Sequence, residues 1–225
     1  MDKCRVHKDI ITKVNFWAKK NIKLQKLLKI IYEILWVDKV EILEFDLVGN
    51  EYAQDDTSLS CVELNFRFAT EDDIKRMAEA GVYNFSRSGI PYYTFISQNG
   101  NFMVLIEDRF QVVGYAACIF RTKKMGNLFF SMMPNEGFVL ACFTCIQYRG
   151  KGYGPLCIKK ILQYCLNNKI QKLYIDISTS NQSSIRSALK AGAKYCCSGF
   201  YRLRFFKKDY VFPYGKLKSK FVSRV

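Results

Sequence analysis

Apolar residues at 10, 14, 17, 24, 28, 31 and 35 recur at intervals of three and four, interrupted only around Asn21, and predict an amphipathic helix from about Ile10 to Leu35. Its opposite face carries Lys13, Lys19, Lys20, Lys23, Lys26 and Lys29. Such a helix docks either on its own domain or on an anionic membrane surface, with Trp17 and Trp36 near the interface. From Val40 to Leu47 the period drops to two, apolar alternating with acidic, as in a half-exposed strand. Residues 49–60 are polar and turn-rich and mark a linker or long loop. The chain therefore divides into a helix-and-strand extension over 1–57 and a main domain over 58–225.

Beyond the loop the rhythm is mixed. A strand is expected near 61–68, then a helix from Thr70, whose hydroxyl caps it and whose first turn holds Glu71, Asp72 and Asp73, to about Ala80. Apolar runs over 102–107 and 110–121 flank Asp108 and Arg109 and predict a hairpin. The continuous apolar run from Phe138 to Ile146 reads as a central strand buried on both faces. Leu156, Ile158, Ile161, Leu162 and Leu166 then predict a helix, followed by a strand at 172–178, a helix from about Gln182 to Ala191 and a long strand at 194–206. No repeat or low-complexity stretch appears, and the class is mixed α/β.

Composition narrows the function. At 225 residues, 49% hydrophobic and 15% aromatic, the chain has ample material for a core. It contains no uncharged apolar run of membrane-spanning length and no signal-peptide pattern at its start, so the expected location is cytoplasmic, with any membrane contact peripheral. Nine cysteines, an odd number, read as small buried apolar residues in a reducing compartment. Cys142 and Cys145 form one C-x-x-C, but the single histidine is His7, so no metal site is expected. Charge is unevenly placed. Residues 1–32 hold nine Lys/Arg against two acids, 33–136 nine against sixteen, and 137–225 seventeen against two. The C-terminal part must meet an anion: nucleic acid, a phospholipid surface, or a polyanionic cofactor or substrate.

The motif content chooses among these. The central strand ends in Tyr148, Arg149, Gly150, Lys151, Gly152, Tyr153 and Gly154, and a helix follows. Glycines at 150, 152 and 154 let the backbone turn tightly with its N–H groups inward, and the helix adds its positive end, so pyrophosphate is the natural guest. The loop lacks the terminal Lys-Ser/Thr of a P-loop, and no acid ends the next strand in the dinucleotide-binding manner. The pattern Arg149-x-x-Gly152-x-Gly154 resembles the acyl-CoA loop of the GCN5-related N-acetyltransferase (GNAT) superfamily. The order of elements from Val62 to about Phe212 resembles that family too, as does Asn181 with Gly192 eleven residues on.

The resemblance implies a central mixed, largely antiparallel sheet flanked by helices and an acetyl-CoA co-substrate. It implies that the backbone over Arg149, Gly150, Lys151, Gly152, Tyr153 and Gly154 holds the pyrophosphate. Cys142 to Thr144 would hydrogen-bond the pantetheine arm, and Asn181 would contact that arm near its thiol. An acceptor amine then attacks the thioester directly, which calls for a base, oxyanion donors and an acid for the thiolate. The family's frequent tyrosine acid falls at Ala188, so Tyr195 and Tyr201 are the candidate acids. Ala193 and Ile146 replace a large apolar residue and a proline usual in the family. Glu136 is the candidate base or else a solvated loop acid. Asp176 is either a cleft-facing carboxylate with a raised pKa or a paired structural acid. The expected activity is acetyl transfer to the amine of a small molecule or amino sugar. The alternatives are a CoA-binding module without turnover or a binder of anionic membrane or nucleic acid. Expected partners are the amine acceptor, an anionic membrane at the periphery and a second copy of the chain as a homodimer. No nucleic-acid motif accompanies the charge.

Overall fold

The computed structural model describes residues 35–48, 64–79, 100–109, 111–120, 122–205 and 208–223. The predicted helix before Leu35, the loop over 49–60, Trp17 and His7 lie outside them. The chain forms β1 (Leu35–Asp46), β2 (Leu64–Phe68), α1 (Glu71–Glu79), β3 (Phe102–Asp108), β4 (Gln111–Ile119), β5 (Lys123–Met125), β6 (Leu128–Phe130) and β7 (Glu136–Thr144). There follow α2 (Tyr153–Asn167), β8 (Lys172–Ser178), α3 (Gln182–Lys190), β9 (Lys194–Phe205), β10 (Lys208–Gly215) and β11 (Phe221–Val222). Eight strands make one sheet in the order β10-β9-β1-β8-β7-β4-β3-β2, and β11-β6-β5 make a second. Only β7 and β8 run parallel within the large sheet; its other neighbours are antiparallel.

Helix α1 starts where the sequence places it. Thr70 Oγ1 accepts the Asp73 N–H at 3.2 Å while Asp73 Oδ2 accepts the Thr70 N–H at 2.8 Å, a reciprocal cap on two of the helix's unpaired donors. Asp73 also accepts from Arg67, which bridges to Glu107 on β3, so the cap is tied to the sheet. Ile74 and Met77 then pack on Met103, Leu105, Tyr115 and Ala117.

The opposite face of the sheet receives α2 and α3. The stripe Cys157, Ile158, Ile161, Leu162 and Cys165 of α2, with Ile185 and Ala188 of α3, buries Val139, Leu173, Ile175 and Ile177. The small sheet covers Val40, Ile42, Phe138 and Tyr174 on the α1 side through Met125, Phe130 and Phe221.

Strand β1 departs from expectation. It begins at Leu35 and is twelve residues long. Alternation with acids predicts a half-exposed strand, but β1 is buried on both faces: Val40 and Ile42 face the small sheet, and Leu43, Phe45 and Leu47 face the helices. It lies between β8 and β9 and pairs with both, so the last strand assigned to the 1–57 extension sits inside the sheet of the remaining chain. The hairpin at Asp108 and Arg109 forms as expected between β3 and β4, with Arg109 at φ 48°.

Candidate functional site

The parallel ladder between β7 and β8 is short. It runs from Glu136 opposite Lys172 to Val139 opposite Ile175 and stops there. At that point β7 carries a bulge against β4: Val139 pairs with Cys118 and Ala141 with Ala117, leaving Leu140 as the extra residue. A bulge bends its strand and disrupts the local ladder. The ends of β7 and β8 part, and a cleft of about 670 Å³ opens between them, floored by the loop after β7, the first turn of α2 and one side of α3.

The loop has a backbone geometry that suits an anion. Gly150 and Gly152 take φ of 79° and 84°, left-handed values that favour glycine, and Gly152 is the N-cap of α2. No side chain caps that helix and no acid stands in its first turn, so the early N–H groups remain available where the helix's positive end faces the cleft. Gly154 lies against α3: a Cβ there would meet Ser187 Oγ at 3.5 Å and Thr144 Oγ1 at 3.9 Å. Arg149 folds back, its Nε donating to the Thr144 carbonyl at 3.0 Å.

Among the expected cofactor residues, Cys142, Thr144, Arg149, Gly150, Gly152, Tyr153, Gly154 and Asn181 line the cleft. Lys151 does not; its ammonium sits 5.1 Å from the Tyr148 ring. Asn181 caps α3, its Oδ1 accepting the Ser184 N–H at 3.2 Å. Cys142 Sγ lies 3.9 Å from the Gly154 carbonyl, and burial pushes its thiol up to about 12, so it stays protonated at neutral pH. Sequence reasoning passed over Ser183, Arg186, Ser187 and Lys190, which face the cleft from α3. Their signal was available. Ile185 and Ala188 form the buried face of that helix, so positions between them must point away from the core.

The expected catalytic residues stand elsewhere. Glu136 is at the far end of β7 and outside the cleft lining. It accepts from Lys220 Nζ at 2.5 Å, Tyr174 Oη at 2.9 Å and the Met133 N–H at 2.9 Å. Burial raises its pKa, but these donors outweigh burial and hold the carboxyl below its ordinary value. A carboxylate so engaged is a poor proton acceptor. Tyr195 and Tyr201 lie on β9, 49% and 46% exposed and outside the lining, with Tyr201 against the Tyr214 ring at 5.3 Å. Ala188 is fully buried between α3 and the core, so its position presents nothing to the cleft.

Asp176 differs from all of these. It is the one carboxylate among the described residues that line the cleft, and its Oδ1 accepts from Lys123 Nζ of β5. Both side chains are largely buried, at 13% and 11% exposure, and the ammonium lies 4.0 Å from the Phe138 ring. Burial lowers the Lys123 pKa, with Arg202 adding to the fall, while Asp176 opposes it.

The mixed sheet thus parts beside a glycine-rich turn and an uncapped helix N-terminus, an arrangement that can accept a phosphate group. A sequence model of the Acetyltransferase (GNAT) family matches residues 63–193, more than half of the chain, and the chain belongs to that family. No curated protein matches the sequence. Among solved structures, a Drosophila protein is 11% identical with a TM-score of 0.51, over 72% of this chain and 48% of that one. A conserved protein of Staphylococcus epidermidis is 11% identical with a TM-score of 0.50, over 84% and 78%. An aminoglycoside acetyltransferase in complex with a bisubstrate analogue of CoA is 14% identical with a TM-score of 0.47, over 68% and 98%. This chain thus spans about half the length of the Drosophila protein. At these identities the likeness is one of fold.

Among the described residues no helix is long and apolar enough to cross a membrane.

Proposed function

We propose that this chain binds acetyl-CoA in the β7/β8 cleft and transfers the acetyl group directly to the amine of a small molecule. The carrying observation is the parting of β7 and β8 at Val139 and Ile175 immediately beside the Gly150–Gly152 turn. The donor set suits the cofactor. Backbone N–H groups at the start of α2 would bind the pyrophosphate, and Arg149, Arg186 and Lys190 line the same cleft, with no acid in the first turn of α2. The thioester supplies an activated acetyl group. The chain's own part is to hold the phosphates, align the pantetheine arm along the free end of β7 and leave the thioester where the strands part. The Leu140 bulge removes that residue from the β4 ladder and re-aims the backbone at the parting. Asn181, as the cap of α3, holds the helix that closes the other wall.

Addition of CoA is expected to raise the melting temperature, since a ligand of the native state stabilises it by mass action. In Gly152→Val the side chain enters a left-handed backbone position at the phosphate turn, and the CoA-induced shift should vanish even though the variant folds. A full shift in that variant sinks the cofactor assignment. Release of free thiol from acetyl-CoA is then followed with an aminoglycoside, glucosamine, spermidine and a lysine peptide as acceptors. Tight CoA binding with no transfer to any of them would favour a CoA-binding module without turnover.

A further inference from the structure

We propose that Asp176 is the catalytic base of this cleft, with Lys123 as the residue that positions it, an assignment that rests on the acetyl-transfer reading above. The geometry points to it in three ways. Asp176 is on β8 one residue past Ile175, where the ladder to β7 ends, so its backbone marks the parting of the strands. Leu173, Ile175 and Ile177 face α2 and α3, so Asp176 points to the other side of the sheet, where Tyr174 and Phe138 meet the small sheet. The phosphate loop and α3 lie on the helical side. Asp176 therefore stands in the gap through which a thioester held from one side meets an amine arriving from the other.

The chemistry balances with this one group. The neutral amine attacks the carbonyl carbon, a C–N bond forms and the carbonyl electron pair moves to oxygen. The nitrogen, now cationic, gives its proton to the Asp176 carboxylate. The C=O bond re-forms as the C–S bond breaks, and protonated Asp176 returns the same proton to the thiolate. No separate acid is required, in keeping with Ala188 buried at the position of the family's tyrosine.

Lys123 acts through Asp176. Its ammonium donates to Asp176 Oδ1 and fixes the orientation of the carboxylate within a largely buried pair. Arg202 of β9 is the further charged group that acts on the pair, and the Phe138 ring of β7 lies against the ammonium.

Substituting Asp176 alone leaves Lys123 buried and unpaired, which costs stability. The decisive variant is therefore the double change Asp176→Asn with Lys123→Met, which removes both charges at once. Wild type is first measured with acetyl-CoA against the four amines named above. On the best acceptor, the double variant should keep its CoA-induced melting shift and its KM for acetyl-CoA while kcat falls by about 10²–10⁴-fold. The acid limb of the wild-type kcat profile should disappear with it. Lys123→Arg, which retains the charge pairing, should keep a measurable acid limb. A double variant that folds, binds CoA and turns over at the wild-type rate overturns the assignment and leaves the pair structural. Absence of transfer by wild type overturns the acetyl-transfer reading itself, and the base with it.

Discussion

Glu136 and Asp176 are both acids on neighbouring strands, and their surroundings set them apart. Glu136 has three donors and stands outside the cleft lining; Asp176 accepts from one cation and lines the cleft. Glu136 is held below its ordinary value, so its ionised form contributes stability above the unfolded glutamate range, about 4.3, and that contribution is lost as pH falls through the lower folded value. Glu136→Gln should therefore lower stability by about 1–3 kcal/mol at neutral pH, the scale of hydrogen bonds to a charged group. The loss should shrink under acid conditions, where the wild-type carboxylate is itself protonated. Thermal melts across pH check this, and the CoA-induced shift should be unaltered. Sequence alone could not rank the two acids. Their partners, Lys123 and Lys220, are 53 and 84 residues away along the chain, and no local pattern announces such pairing.

At the scale of elements, local chemistry was legible wherever it was also decisive. Thr70 with acids behind it starts α1, the apolar run from Phe138 becomes β7, which ends at Thr144 rather than Ile146, and Arg149 to Gly154 forms the turn and N-cap of α2. Removing the Asp73 carboxylate tests how much the first of these matters. Asp73→Ala deletes acceptors for Thr70, Arg67 and Arg76 together and should cost about 2–4 kcal/mol, read as a lowered denaturant midpoint. The Asp73 carboxyl is held well below the usual carboxylate range, first by Arg67, so wild-type stability from this site is full above the unfolded aspartate value, about 3.9, and is lost progressively as pH falls below it toward the lower folded value. The pattern missed β10, although it has eight residues, and elements too short to show a period. Strands β5 and β6 have three residues each and β11 two, yet β5 delivers Lys123 to Asp176. The α3 wall was missed for a different reason: the pattern shows that Arg186 and Ser187 point away from the core, but not that Gly154 lies against Ser187 and makes that face a wall of the cleft.

At the scale of the whole molecule, the informative departure is β1. Alternating acids made VEILEFDL look like a half-exposed strand of an accessory segment, but Glu44 reaches Lys172 and Lys39 reaches Glu41, so the acids are answered while Val40, Ile42, Leu43 and Phe45 are buried. A chain begun at Ser58 would lack the strand between β8 and β9 and expose both of their edges. It should show no cooperative thermal transition by circular dichroism, and a sharp transition in that fragment would mean that β8 and β9 can close on each other. The position of β1 also bears on the order of events in the cell. Val40 pairs with Ser178 and Leu35 with Phe205, so the first of the described strands waits for partners well over a hundred residues further along the chain. During synthesis an apolar ribbon leaves the ribosome long before the strands that will flank it, and contacts of such sequence separation slow folding and lengthen the time for which sticky edges stand open. This protein's yield in a cell should thus depend on how well its nascent chain is shielded, rather than on the stability of the finished sheet.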